Sequence, residues 1–137
     1  MTIPEKPLGM AIVVCDQVIT DQDTHKKTLV GVFNNILSRN FPCMHPTMSI
    51  YVALTNGHGA VKIELACKEL NVDEEVFARV GLNAEFPNPN HVVTVIFNLK
   101  TLNFKRPGVY SFEIYADDQF LLESRVNLTK VVTTEGE

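Results

Sequence analysis

The chain has 137 residues, 45% hydrophobic and 20% charged, which points to one folded domain and argues against a disordered or a membrane protein. Its net charge of −4, from 12 basic and 16 acidic residues, argues against a general nucleic-acid binder, whose affinity comes from neutralising phosphates. The longest clearly apolar run, Met10 to Cys15, is far shorter than the roughly 18 residues of a membrane helix and lacks the flanks and cleavage site of a secretory signal.

Side-chain alternation with a period of two dominates the chain and predicts strands. In order, Met10 to Ile19 and Lys27 to Phe33 are apolar on both faces, which suggests strands covered on both sides. Between Asn34 and His45, Phe41-Pro42 and His45-Pro46 keep the chain extended. The next inward set is Met48, Ile50, Val52 and Leu54, then Val61, Ile63, Leu65 and Cys67. Asn56-Gly57-His58-Gly59 reads as a hairpin turn that pairs Leu54 with Val61, Val52 with Ile63 and Ile50 with Leu65. Val76 to Val80 alternates and is taken as a strand, in a hairpin closed by Asn71-Val72, in preference to a short helix capped by Asp73.

Glu85 to Asn90, with Pro87 and Pro89, reads as a loop. Three further inward sets follow: Val93, Val95, Phe97 and Leu99; Tyr110, Phe112 and Ile114 after a turn at Pro107-Gly108; and Phe120, Leu122, Val126 and Leu128. For the last hairpin, a two-residue turn at Asp117-Asp118 would set inward Ala116 against outward Gln119. A three-residue turn, Ala116-Asp117-Asp118, pairs Ile114 with Phe120 instead and requires a left-handed residue near Asp118.

About eight strands without a long amphipathic helix indicate an all-β, two-layer antiparallel sandwich, immunoglobulin-like in the loose sense, with a small barrel as the alternative. Residues 1–8 read as an N-terminal extension, 9–131 as the single domain and 132–137 as a flexible tail. Cys15, Cys43 and Cys67 are an odd set at wide spacings, fitting neither a disulfide framework nor a zinc ribbon, so reduced thiols in a cytoplasm are expected.

Cys15-Asp16-Gln17-Val18-Ile19, Lys27-Thr28-Leu29-Val30-Gly31-Val32-Phe33, Phe41-Pro42 and Arg106-Pro107-Gly108-Val109-Tyr110-Ser111-Phe112 resemble a bacterial family of uncharacterised small β domains, over about Ala11 to Leu128. The resemblance implies the fold and a bacterial source, and assigns no activity or site.

Candidate chemistry is sparse. Asp16 interrupts an apolar strand, on the side of Met10, Ile12, Val14 and Val18 if no bulge intervenes. Such a carboxylate ordinarily serves as an acceptor for loop backbone N–H groups or is turned outward by a bulge; less ordinarily it is a catalytic acid or metal ligand. Cys43 and His45, two apart on an extended segment, project to one side, but a metal or nucleophile site needs partners that the sequence does not mark. His25, His58 and His91 fall at loops or strand ends. Asp21 with Asp23, and Asp117 with Asp118, could supply oxygen ligands to calcium at one end of a sandwich, though short acidic turns are ordinary turn chemistry. Lys100, Lys105 and Arg106 make a small basic cluster beside Phe104, expected to be a solvated loop.

The outward apolar residues say more. Tyr51, Ala53, Val92, Ile96, Val109, Tyr115 and Leu121 lie on the non-core side of their strands. On one sheet they would merge into an apolar patch that needs a cover: a second copy, another protein, or the chain's own 34–45 segment. The expectation is a non-catalytic module that contacts a protein partner or itself, with no cofactor, nucleic acid or membrane. The alternative is a small metal-dependent protein or enzyme built on Asp16, Cys43 and His45.

Overall fold

A computed structural model describes residues 6–71 and 75–132. Among these residues the chain forms nine strands: β1 (Leu8–Thr20), β2 (Lys27–Val32), β3 (Asn35–Ser38), β4 (Cys43–Thr55), β5 (Gly59–Glu69), β6 (Glu75–Phe86), β7 (Val93–Phe104), β8 (Gly108–Ala116) and β9 (Gln119–Lys130). They make two stacked sheets, ordered β2-β1-β4-β7 and β3-β9-β8-β5-β6. The segment 76–80 is strand, as its alternation predicts, and the strand runs on to Phe86. The helix cap considered at Asp73 lies outside the described residues. So do residues 1–5 and 133–137 of the expected extension and tail, and Leu8 already belongs to β1.

The core forms where the two inward-facing apolar sets meet. Met48, Ile50, Val52 and Leu54 on β4 face Ile63, Leu65 and Cys67 on β5, with Phe112 and Ile114 on β8 and Val126 on β9. Each fully buried aliphatic or aromatic side chain contributes about 1.5–3 kcal/mol relative to exposure, so this set is the main stabilising term.

β4 and β5 are consecutive in sequence but lie in different sheets: β4 pairs with β1 and β7, and β5 with β6 and β8. The expected hairpin of Leu54 with Val61 therefore does not form. Register arithmetic requires only that inward residues meet. Stacking across the core satisfies that as well as lateral pairing does. Residues 56–58 carry the chain from one sheet to the other, with Asn56 at φ 64° and Gly57 so close to the Phe86 ring that a Cβ there would overlap it. β7 then returns to β4 and β8 to β5, the crossing connectivity of an immunoglobulin-like sandwich.

Tyr110, fully buried near the start of β8, donates its hydroxyl to the Arg106 carbonyl at 2.7 Å. This bond ties the β7–β8 corner to the core, as the tyrosine corner does in such sandwiches. The ring packs edge-on against Phe104, with centroids 4.9 Å apart. Beside it, Arg106 Nε lies 2.8 Å from Oε2 of the buried Glu69, an oxygen with no well-aligned hydrogen bond, so the contact is one of charge alone.

The last hairpin also departs from expectation. Ala116 does pair with Gln119 through a two-residue turn, with φ 45° at Asp117 and 69° at Asp118. Two successive left-handed residues match the twist of the strands. The parity conflict is removed by a bulge: Tyr115 opposes Phe120 while Ile114 opposes Leu122, leaving Leu121 as the extra residue. Phe120 consequently points outward, 53% exposed, with its ring 5.8 Å from that of Tyr115. Leu122 keeps its inward place.

β1 and β2 are not covered on both sides as their composition suggested, since Ile19, Val30 and Val32 are exposed. The 34–45 segment contributes β3, which runs parallel to β9, with Asn35 beside Asn127 and Ser38 beside Lys130.

Two substitutions test this account by urea titration. Tyr110→Phe removes the donor to the Arg106 carbonyl and should lower stability by about 1–2 kcal/mol. Asp118→Gly relieves a left-handed residue and should raise stability by about 0.5–1 kcal/mol; no change in the midpoint would contradict the left-handed backbone at Asp118.

Candidate functional site

The two outer faces of the sandwich differ in chemistry. On the five-stranded sheet, Lys68 Nζ lies 3.0 Å from Glu113 Oε1, and the Tyr115 hydroxyl donates to the same oxygen at 2.6 Å. Ser111, fully buried, donates to Glu123 at 2.5 Å, Arg125 reaches Glu123 at 3.3 Å, and Glu64 pairs with Arg79 and Lys62. These bonds hold the Lys68 ammonium and the Tyr115 phenol above their ordinary pKa values, the bond to the Glu113 carboxylate being the largest cause in each case. Apart from the exposed Phe120 ring beside Tyr115, this face is a polar network.

The four-stranded sheet is different. Cross-strand neighbours Val13, Tyr51 and Ile96 form one apolar row across β1, β4 and β7. The adjoining row is Ala11, Ala53 and Thr94, and on β2 Val30 and Val32 stand 39% and 63% exposed opposite Gln17 and Cys15. The third row is polar and partly bonded within itself: Ser49 donates to Asn98 Oδ1 at 2.7 Å, and the buried Cys15 thiol points at the Ser49 carbonyl at 3.6 Å. Among the side chains that the described strands turn outward here, Lys100, at one margin, is the sole charge.

Of the expected apolar surface, Tyr51 and Ile96 sit half-buried in this face, Val92 is exposed just before β7, and Ala53 is buried between its neighbours. Val109 and Tyr115 belong to β8 and Leu121 to β9, on the opposite sheet, so the seven do not merge into one patch. Tyr115 serves the polar network, and Leu121, the bulge residue, packs against the core. Sequence reasoning missed Val13, Val30 and Val32. The available signal was the lack of charge at alternate positions of β1 and β2.

The residues considered for chemistry are dispersed. Asp16 is exposed, not buried. It lies beyond the part of β1 that the other sheet covers, and its carboxylate rests over Gly31, whose φ of 69° leaves no room for a Cβ. Cys43 and His45 do share one side and are half-buried, but His45 packs its ring on Phe33 at 5.6 Å. Among the described residues no three His, Cys, Asp or Glu side chains come close enough to hold a metal ion.

The two carboxylate pairs do not converge. Asp21 follows β1 at the end where β4 begins, whereas Asp117 follows β8 at the end where β4 gives way to β5. Asp21 Oδ1 accepts the backbone N–H groups of Asp23 and Thr24 at 2.9 and 2.8 Å, which holds its carboxyl below the ordinary value. Asp117 accepts the N–H of Lys62 at 3.1 Å. Both are turn chemistry. His25, His58 and His91 are exposed in separate loops. The basic trio is divided as well, with Arg106 on Glu69, Lys105 lining an open groove between β6 and β7, and Lys100 lying at the junction of that groove and the apolar face.

Comparison with known proteins adds a family and no activity. Residues 10–129 match a family of unknown function, DUF6941. No curated protein matches the sequence. Among solved structures, a β-glucosidase from Listeria innocua is 10% identical with a TM-score of 0.49, covering 94% of this chain and 17% of that one. The alkylpurine DNA glycosylase AlkC of Pseudomonas fluorescens is 8% identical with a TM-score of 0.46, over 86% of this chain and 30% of that one. The C-terminal domain of wzt is 11% identical with a TM-score of 0.46, over 96% and 82%. The chain thus spans less than a third of the first two, and likenesses this remote carry no functional argument. Among the described residues no helix is long and apolar enough to cross a membrane.

The thiols give a direct check. Burial pushes Cys67 up from an ordinary 9.0 to about 12 and also raises Cys15, while Cys43 is half-buried. A thiol-exchange reagent at neutral pH should modify Cys43 in the folded chain and the other two only after unfolding. Because the folded pKa of Cys67 is raised, its contribution to stability is complete below pH about 9 and is lost as pH rises towards about 12. Cys67→Ala should flatten the fall in melting temperature over that window.

Proposed function

We propose that this chain, which belongs to the DUF6941 family of unknown function, is a non-catalytic bacterial module of the cytoplasm that contacts a protein through the outer face of the β2-β1-β4-β7 sheet. The supporting observation is the contrast between its two outer faces. One sheet covers itself with ion pairs and hydroxyl–carboxylate bonds, and the other turns an uncharged row of Val13, Tyr51 and Ile96 to the outside. A solvated sheet face ordinarily alternates apolar-in with polar-out, so a four-stranded face that departs from this rule is one that another surface covers. Three cysteines without disulfide partners fit a reducing compartment.

Site-specific photo-crosslinking in cells producing the chain tests the reading. A photoreactive residue in place of Val32 or Ile96 should give discrete protein adducts, identified by mass spectrometry. The same residue in place of Lys62 or Arg125, on the polar face, should not. Equal labelling from the two faces, or none from the apolar one, would overturn it.

A further inference from the structure

Resting on the module reading, we propose that the surface covering the β2-β1-β4-β7 face is a second copy of this chain, the two faces stacked about a twofold axis. Charge carries the choice of partner. Each copy bears a net −4, so two copies repel over much of their surface. A twofold contact sets a patch against its own image, and a charge near the axis meets its like. The five-stranded sheet, with Glu64, Glu113 and Glu123 outward, is unsuited to that. The four-stranded sheet is suited, since its one outward charge among the described residues, Lys100, stands at the margin. A partner of different sequence would find no ionic group near the middle of this face to select or orient it.

Chemistry and size agree with this choice. The face is built largely from stiff β-branched residues and one tyrosine, which lose little rotamer freedom on contact. In its polar row the Ser49 hydroxyl, the Asn98 Oδ1 and the Cys15 thiol already have partners within the sheet, so covering that row strands few polar groups. Strands of 6, 13, 13 and 12 residues, at about 3.3 Å per residue and about 4.8 Å apart, make a face of roughly 700 Å², close to the ~800 Å² that each partner buries in a specific protein interface.

Sedimentation velocity of the full chain from about 1 to about 300 µM tests the proposal. The expected result is a concentration-dependent monomer–dimer equilibrium. Val32→Glu and Val30→Glu, both at exposed positions and checked for an unchanged fold by circular dichroism, should each weaken it at least ~10-fold. Mixing Val32→Glu with Val32→Lys should restore association relative to either alone. Arg125→Glu, on the other sheet, should leave it unchanged. A monomer throughout overturns the second-copy proposal, as does a dimer indifferent to both valine substitutions. The crosslinking described above then judges the module reading separately, because adducts from Val32 to a different protein uphold that reading while this proposal falls.

Discussion

The whole arrangement depends on β4 and β5 lying in opposite sheets around one core. Each carries four inward apolar residues at alternate positions, and the short link at 56–58 lets both sets enter the same core from opposite layers. Once the two strands lie in opposite layers, β7 must return to β4 and β8 to β5, and the crossing connectivity follows. The Tyr110 hydroxyl on the Arg106 carbonyl, and the Glu69–Arg106 charge contact beside it, fasten one corner of that return path. The interior is therefore filled with side chains, and the residues able to do chemistry are left at margins and loops.

The outer faces differ in character although they enclose one core. On the five-stranded sheet, alternation sends lysine, glutamate and arginine outward, where they pair with one another and with buried hydroxyls. On the four-stranded sheet the outward positions hold valine, isoleucine, tyrosine, alanine, threonine and neutral amides. Nothing in the internal packing requires that difference, because the core sees only the inward positions. The neutral residues on one outer face are therefore the feature on which the proposed contact function rests.

Much of the fold was legible from alternation alone. Met48 to Leu54, Val61 to Cys67, Val95 to Leu99 and Tyr110 to Ile114 have their core faces where periodicity puts them, and the left-handed backbone near Asp118 is present. Sheet membership was not legible, because two strands with matching inward sets can lie side by side or stack. The final turn was misjudged because parity arithmetic has no place for a bulge, and one extra residue at Leu121 reconciles a two-residue turn with an inward Leu122. The candidate surface was half legible: Tyr51, Ala53 and Ile96 lie on the face, whereas Val13, Val30 and Val32 escaped notice because a run without charges looks alike whether it is doubly buried or reserved for contact. Asp16 was misplaced for a simpler reason, since periodicity gives a side but not the extent of the layer covering it.

The parallel pairing of β3 with β9 has a consequence for how the chain is made. Asn35–Ser38 finds its only strand neighbour among the described residues at Asn127–Lys130, some ninety residues later. Closing so long a loop is entropically slow and must wait until residues 127–130 have been made. A ribosome-bound intermediate would therefore hold an orphaned ribbon, shielded by no later strand until β9 emerges.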